Sequence, residues 1–458
     1  MASLRRRHRF PQTDSYGRTR RRSPTLLGWL AIAASLGLLA AAITMPLWLI
    51  SFLRYAVPSR YIVAYAPEPI QALVFETNPL QMLPTPLPSN IDPANLALPT
   101  PLPTADLPPS PTPPTDGAAM LTPTPAFVPF ENGVVTPQPT ERSAPNNPTV
   151  LLTGFTHAFQ GWNNCGPATL AMALSYWGAT VGQKDVADFV KPNPEDRNVR
   201  PDELVAYANS VGYAGLWRIN GSIERLKQLL LAGFPVMVEK GFDPEPDRLG
   251  WMGHYLLLIG YSEGDRTFIT MDSYLGPNKV ESFDHVDYYW RHFNRLYLVF
   301  YPPERAAEVA AIIGPDMDDR TMYNNALWQA TLEKDQNPGD PFAWFNLGSI
   351  YVALGDYESA AVAFDMARER GTPWRMLWYQ FGPYEAYLHV GGNRLYDVIT
   401  LANAVLQNNV YSEEAYYYKG LALQAQGEVE AARAQFQKAI QYNAHYTAAY
   451  EALQALGG

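Results

Sequence analysis

The sequence predicts an α+β domain over residues 150–303 and an all-α helical-repeat solenoid over 321–458, behind one N-terminal transmembrane helix and a Pro-rich stalk. Three observations carry this. A charge-free apolar run, Thr25 to Leu53, follows an Arg cluster. More than half of the 41 prolines fall between residues 67 and 149. Downstream, mixed strand and helix periods give way to a helical pattern repeating at about 34 residues. A length of 458 residues with 47% hydrophobic side chains suits several cores.

The first 24 residues read as a basic cytoplasmic tail. Residues 1–22 hold eight Arg against one Asp, so an overall net charge of −10 leaves about −17 for the rest. An acidic body argues against nucleic acid as a partner. The run 25–53 exceeds the ~20 apolar residues that cross a bilayer, and positive charge stays cytoplasmic. The two downstream domains are therefore expected outside a cell membrane, on a single-pass anchor. The alternative is a cleaved signal peptide ending near Ala40–Ala42. Nothing suggests the several spans of a transporter. Residues 54–149, with runs such as "LPTPLPSN" and "LPTPLPTADLPPSPTPPT", read as a disordered, semi-rigid stalk that buries no core. Docking of proline-binding domains on it is a sharper reading, and placement outside the cell argues against it.

The chain has one cysteine, Cys165, in "FQGWNNCGPATLAMALSYWG". Leu170, Leu174 and Trp177 recur at helical steps after it. Asn163 or Asn164 suits the cap, Pro167 the first turn and Gly178 the end. Cys165 thus opens a helix, where unpaired N–H groups and the helix dipole favour a thiolate. No intrachain disulfide is possible, and an unpaired thiol outside the cytoplasm is a liability unless it is used.

A thiolate nucleophile needs a base. His8 lies in the tail, and His389 and His445 in the repeats; His157, His254, His285 and His292 remain. His254 stands in "GWMGHYLLLIGYSEGDRTFITMDSYLGP", which reads as a strand, a turn near Glu263–Gly264 and a returning strand. Pairing there joins residues whose numbers sum to about 527, which sets Asp272 almost opposite His254. A carboxylate so placed orients and charges the imidazole. "DELVAYANSVGY" and "SIERLKQLLLAG", with Ser222 as cap, read as helices, and "FPVMVEK" as a strand. His157 and Trp162 either line the cleft or pack its loop.

"HAFQGWNNCGPATLAMALSYWG", "IERLKQLLLAGFPVMVEK", "GHYLLLIGY" and "FITMDSYLGP", in this order, resemble the papain-like cysteine peptidases of the double-glycine, bacteriocin-processing type, and more closely their stand-alone peptidase-like branch. The resemblance covers about 150–303. It implies a thiol peptidase with Cys165 as nucleophile, His254 as base and acid, Asp272 as orienter and Gln160 in the oxyanion hole beside the Cys165 amide. In papain and the transporter-linked members the Gln lies six residues before the Cys; here it lies five before. No transporter follows, so the double-glycine leader substrate is not carried over. Phytochelatin synthase has a similar Cys, His, Asp order, so acyl transfer to an amine is a chemical alternative.

From about 321 the chain resembles tetratricopeptide repeats. One unit carries Trp344, Leu347, Gly348, Tyr351, Ala360, Phe364 and Ala367. Another carries Tyr416, Gly420, Leu423, Ala432, Phe436 and Ala439. A degenerate copy lies between them, with Pro383 in its first helix. Residues 304–320, with Asp316, Asp318 and Asp319, read as a solvated linker, so the repeats are expected to be a separable arm. Their concave face would bind a peptide or protein; of Tyr416, Tyr417 and Tyr418, the repeat phase gives Tyr416 to packing, so at most some offer aromatic contacts.

The expectation is a membrane-anchored, extracytoplasmic cysteine peptidase whose repeats recruit a protein substrate or partner, with no cofactor and no metal. The sequence has no phosphate-binding Gly-rich loop, no metal-ligand pattern and no Cys pair. The alternative from another class is a catalytically idle scaffold of the same architecture.

Overall fold

The structure, a computed structural model, describes residues 82–88, 93, 96, 149–243 and 250–457. The basic tail, the run 25–53 and most of the stalk lie outside the described residues. Among the described residues no helix is long and apolar enough to cross a membrane.

A mixed α and β domain with an antiparallel sheet comes first. Its elements are β1 (Val150–Leu151), α1 (Cys165–Tyr176), α2 (Gln183–Val190), α3 (Pro201–Ser210), β2 (Ala214–Arg218), α4 (Ile223–Leu231), β3 (Val236–Phe242), β4 (Met252–Ser262), β5 (Thr267–Asp272), β6 (Gly276–Ser282), α5 (Phe283–Trp290) and β7 (Tyr297–Tyr301). The strands run in the order β2-β7-β3-β4-β5-β6, with β1 added on β4. Side chains alternate across a sheet, and here both sides are covered. Met237, Leu257, Leu298 and Phe300 pack with Leu170 and Leu174 of α1 and Leu204 of α3. Val236, Leu256, Leu258 and Val299 pack with Leu226, Leu229 and Leu230 of α4 and with Val286 and Trp290 of α5. Burial on both faces explains the continuous apolar run of β4. Ser222 caps α4 by accepting from the Arg225 amide, as expected.

The stretch expected as a linker is helical. Helix α6 (Ala306–Ile313) buries Val309 and Ile313 in the sheet's second core. A short 3₁₀ turn follows, and Asp318 caps α7 (Asp319–Gln336) through the Thr321 amide. The acidic run thus begins a helix, and the apolar pair four residues apart was the signal for packing.

The repeats form α8 (Pro341–Leu354) with α9 (Tyr357–Glu369), α10 (Gly382–Val390) with α11 (Arg394–Leu406), and α12 (Glu413–Ala425) with α13 (Val429–Tyr442), closed by α14 (Thr447–Ala455). Pro383 stands in the first turn of α10, where a missing N–H costs nothing. The tyrosine run is engaged internally: Tyr416 stacks on Tyr442, and Tyr418 stacks on Tyr384 and donates to Glu385.

The repeats are not a separable arm. Trp251, before β4, stacks on Phe293 and lies 5.9 Å from Phe342 of α8. His292 stacks on Phe342 at 3.5 Å and accepts from the Trp251 indole. Asn346 of α8 donates to the Arg291 carbonyl at 2.6 Å. Trp217, Trp251 and Leu296 all pack against the repeat core.

One part of the stalk also departs from the expectation of disorder. Residues 82–88 lie extended along the repeats, with Leu83 5% exposed in the repeat core. The Leu83 amide donates to the Thr372 carbonyl at 2.9 Å, and Met82 bridges Pro373.

Candidate active site

Asn163 adopts a left-handed backbone, φ 51°, which turns the chain into α1. Asn164 occupies the cap position, but its side chain donates to Gln183 at 2.9 Å rather than capping. Gln183 also accepts from the Gly161 amide and donates to the Phe159 carbonyl. It organises the whole loop before the cysteine. Lys191 donates to the Asn163 carbonyl at 2.7 Å from the other side. Gly178, φ 88°, follows the last turn of α1 as expected.

Strands β4 and β5 pair with Leu257 opposite Met271 and Leu258 opposite Thr270, one residue beyond the expected register. A bulge follows between Leu258 and Gly260. The turn spans residues 263–266 and needs a positive φ at Arg266. The difference does not part His254 from Asp272. Nε2 of His254 lies 3.2 Å from both carboxylate oxygens of Asp272. Asp272 is fully buried, and its Oδ1 accepts the Tyr274 and Leu275 amides at 2.6 and 2.8 Å. The ring of Phe242 stacks on His254 at 4.3 Å and holds its plane.

The electrostatics follow. For Asp272, burial favours the neutral acid, but the His254 charge, its hydrogen bond and the Leu275 amide prevail and bring the pKa down to about 2. For His254, burial opposes charge, yet Asp272 and then Cys165 raise the pKa to about 9. Burial pushes the Cys165 thiol up. The hydrogen bond to His254, the His254 charge, the Tyr255 amide and the Lys191 charge outweigh it, and the net shift is downward. His254 is thus hydrogen-bonded to Asp272, and its charge biases Cys165 towards thiolate.

Gln160 sits beside these residues. Its amide donates to the Ser273 carbonyl, and its side-chain oxygen accepts from the Ser273 hydroxyl, both at 2.8 Å. His157 binds the Asp272 carbonyl at 2.9 Å and so packs the loop. His285 pairs with Glu281, and His292 belongs to the interface with the repeats.

The cavity at Cys165 is narrow, about 10 Å³, and is lined by Glu239, His254, Tyr255, Arg197 and Tyr379 among others. Three features escape a reading of the sequence. Gln183 carries no motif. Tyr379 comes from the repeat region, where aromatic residues read as core. Glu239 had a signal, as a carboxyl inside the apolar strand "FPVMVEK". Burial holds it well above the usual carboxylate range, so it is a neutral acid in the cavity wall. Among the described residues no cluster suited to a metal ion occurs.

Residues 148–298 match the family described as Peptidase_C39 like family, and residues 343–365 and 413–446 match the tetratricopeptide repeat. The chain thus carries a C39-peptidase-like domain followed by tetratricopeptide repeats. None of the curated proteins matches it. Among solved structures it is similar to a putative C39-like peptidase from Bacillus anthracis, at 16% identity over 33% of this chain and 96% of that one, TM-score 0.27. It is also similar to the peptidase domain of Streptococcus ComA, a bifunctional ABC transporter involved in a quorum-sensing pathway, at 18% identity over 33% of this chain and 99% of that one, TM-score 0.27. A third is a double-glycine-motif protease from an AMS/PCAT transporter in complex with the leader peptide, at 18% identity over 34% and 95%, TM-score 0.26.

Proposed function

We propose that the chain is a cysteine peptidase that hydrolyses peptide bonds through Cys165, His254 and Asp272. The observation that carries this reading is a thiol at a helix start that shares one cavity with a histidine held by a buried carboxylate 3.2 Å away. The Cys165 sulfur attacks the scissile carbonyl carbon. The oxyanion takes the Cys165 amide N–H and the side-chain amide of Gln160, whose oxygen is already engaged by Ser273. His254 gives its proton to the leaving nitrogen as the C–N bond breaks. Water then attacks the thioester, His254 accepts its proton, and the C–S bond breaks to release the carboxyl product. Asp272 keeps the imidazole oriented throughout.

The run 25–53 anchors the chain in a membrane with the domains outside, and the repeats bring a protein substrate or partner to the cleft. Tyr379 stands in the cavity wall, so the repeats also shape what enters it. Mass-spectrometric profiling of peptides cleaved by the full chain, against Cys165→Ala, tests the reading. Cleavage lost in the variant is expected. No cleavage by either, with Cys165 alkylating only as fast as a free thiol, leaves the idle scaffold. Products joined to an added amine identify acyl transfer.

A further inference from the structure

The docked stalk segment has a chemistry of its own. Residues 83–88 read "LPTPLP", and 98–103 read "LPTPLP" again. A proline-rich strand in polyproline II makes no internal hydrogen bonds and lacks most N–H donors, so a receptor must donate to its carbonyls and pocket its apolar side chains. The repeat surface does both. Arg368 of α9 donates to the Pro84 carbonyl at 2.8 Å and to the Thr85 carbonyl at 3.1 Å. Arg394 of α11 donates to the Leu87 carbonyl at 3.1 Å. Two of the segment's three amides are also met: Leu83 donates to the Thr372 carbonyl, and Leu87 to Asp397 at 3.2 Å. Leu83 is the buried anchor.

The receptor side is preorganised. Arg368 is 3% exposed and is held by Asp397 at 2.8 Å and by the Tyr387 hydroxyl at 3.1 Å. Asp365 holds Arg394 and accepts from Tyr387. Buried Arg368 and half-buried Arg394, both held by carboxylates, thus aim N–H groups at the segment. Without a strand there, those groups would face only water or nothing, at a cost that favours an acceptor.

We infer that the surface formed by Arg368, Thr372, Arg394 and Asp397 is a binding site for an extended Leu-Pro-Thr-Pro-Leu-Pro peptide, and that the chain's two copies, 83–88 and 98–103, exchange in it. The second copy supplies the same carbonyls, the same two amides and the same anchor leucine, now Leu98. Tethering gives either copy an effective concentration that a free peptide must exceed. Exchange moves the point where the N-terminal part is attached by the fifteen residues from Leu83 to Leu98. The site is independent of the peptidase chemistry and stands if that reading fails.

The test uses the full chain and a fluorescent peptide of residues 81–90, read by anisotropy. Leu83→Asp together with Leu98→Asp should free the site, so the peptide binds saturably. The same peptide carrying Asp at the Leu83 position should bind at least about tenfold more weakly, since it loses the buried anchor. The unaltered chain and the Leu83→Asp single variant should both exclude the peptide, because one copy remains. Equal binding to all forms, equal binding of both peptides, or no binding to the double variant overturns the site. Admission by the single variant as complete as by the double overturns the exchange. A measurement without substitutions checks the docking directly: hydrogen exchange at the Leu83 and Leu87 amides should be slower than at non-proline amides between residues 104 and 148, and equal rates would overturn it.

Discussion

At the residue scale, the reactivity of Cys165 rests on charges that can be altered one at a time. The pKa of Cys165 is lowered and that of His254 raised to about 9, so each favours the charged form of the other. Cys165 should therefore react with iodoacetamide at pH 6 faster than a model thiol, whose pKa is about 8.5. Asp272→Asn keeps an oxygen to accept from the Tyr274 and Leu275 amides, so the fold should persist. The imidazole loses its charged partner, however, so its pKa should fall and the alkylation rate at pH 6 with it. Gln160→Ala should lower turnover by ~10²–10³ if its amide meets the oxyanion, while leaving the alkylation rate unchanged. The pairing of His254 with Asp272 was legible because a hairpin places residues by arithmetic, and an error of one in register still leaves them in reach. Gln183 was not legible. A glutamine two turns of chain away acquires meaning only when the loop it gathers is in place.

At the element scale, local rules placed most helices and strands. Ser222, Asp318 and Ser412 each accept from an amide three residues on, the geometry expected of such caps. The repeat glycines have an equally local reason. A Cβ on Gly348 would stand 2.8 Å from the Phe364 ring, and one on Gly420 2.5 Å from the Phe436 ring. Gly348→Ala should thus cost about 1–3 kcal/mol through overpacking, read as a lower melting temperature of the repeats. What local rules missed was α6. Its short apolar stretch sits between prolines and aspartates, and only the core under Val309 and Ile313 makes it a helix with a place to go.

At the scale of the whole molecule, the repeats pack on the C39-peptidase-like domain and contribute Tyr379 to the wall of the Cys165 cavity. A fragment of residues 149–305 would expose Trp251, His292 and Phe293 and lose Tyr379 from the cavity wall. It should aggregate, or label at Cys165 more slowly than the full chain; a soluble fragment that labels equally fast would show that the contact is dispensable. The same interface should respond to pH. Burial, helped for Glu413 by Glu414 and for Glu414 by Asp196, raises both glutamates to about 8. Asn443 and Asn198 donate to them, and Arg200 opposes the shift for Glu414. The folded chain then holds protons that the unfolded chain releases above about 4.5, so stability falls as pH rises from about 4.5 to 8. His254, raised to about 9, adds a fall of the same sign above about 6.5. Glu413→Gln with Glu414→Gln should flatten the fall of melting temperature between pH 5 and 6.5; an unchanged slope would place its origin elsewhere.

The sequence by itself determined the order of the two folded domains, the helix start at Cys165, the pairing of β4 with β5 and the repeat phases. Each depends on side chains close in number, where spacing alone sets the geometry. Only the tertiary structure decided that the C39-peptidase-like domain and the repeats share a core, that Tyr379 reaches the cavity of Cys165, and that Leu83 is buried. Those contacts join residues far apart in the chain. Nothing in a local pattern says which of two apolar surfaces will find the other, or that two arginines will be aligned to meet the carbonyls of a proline-rich strand.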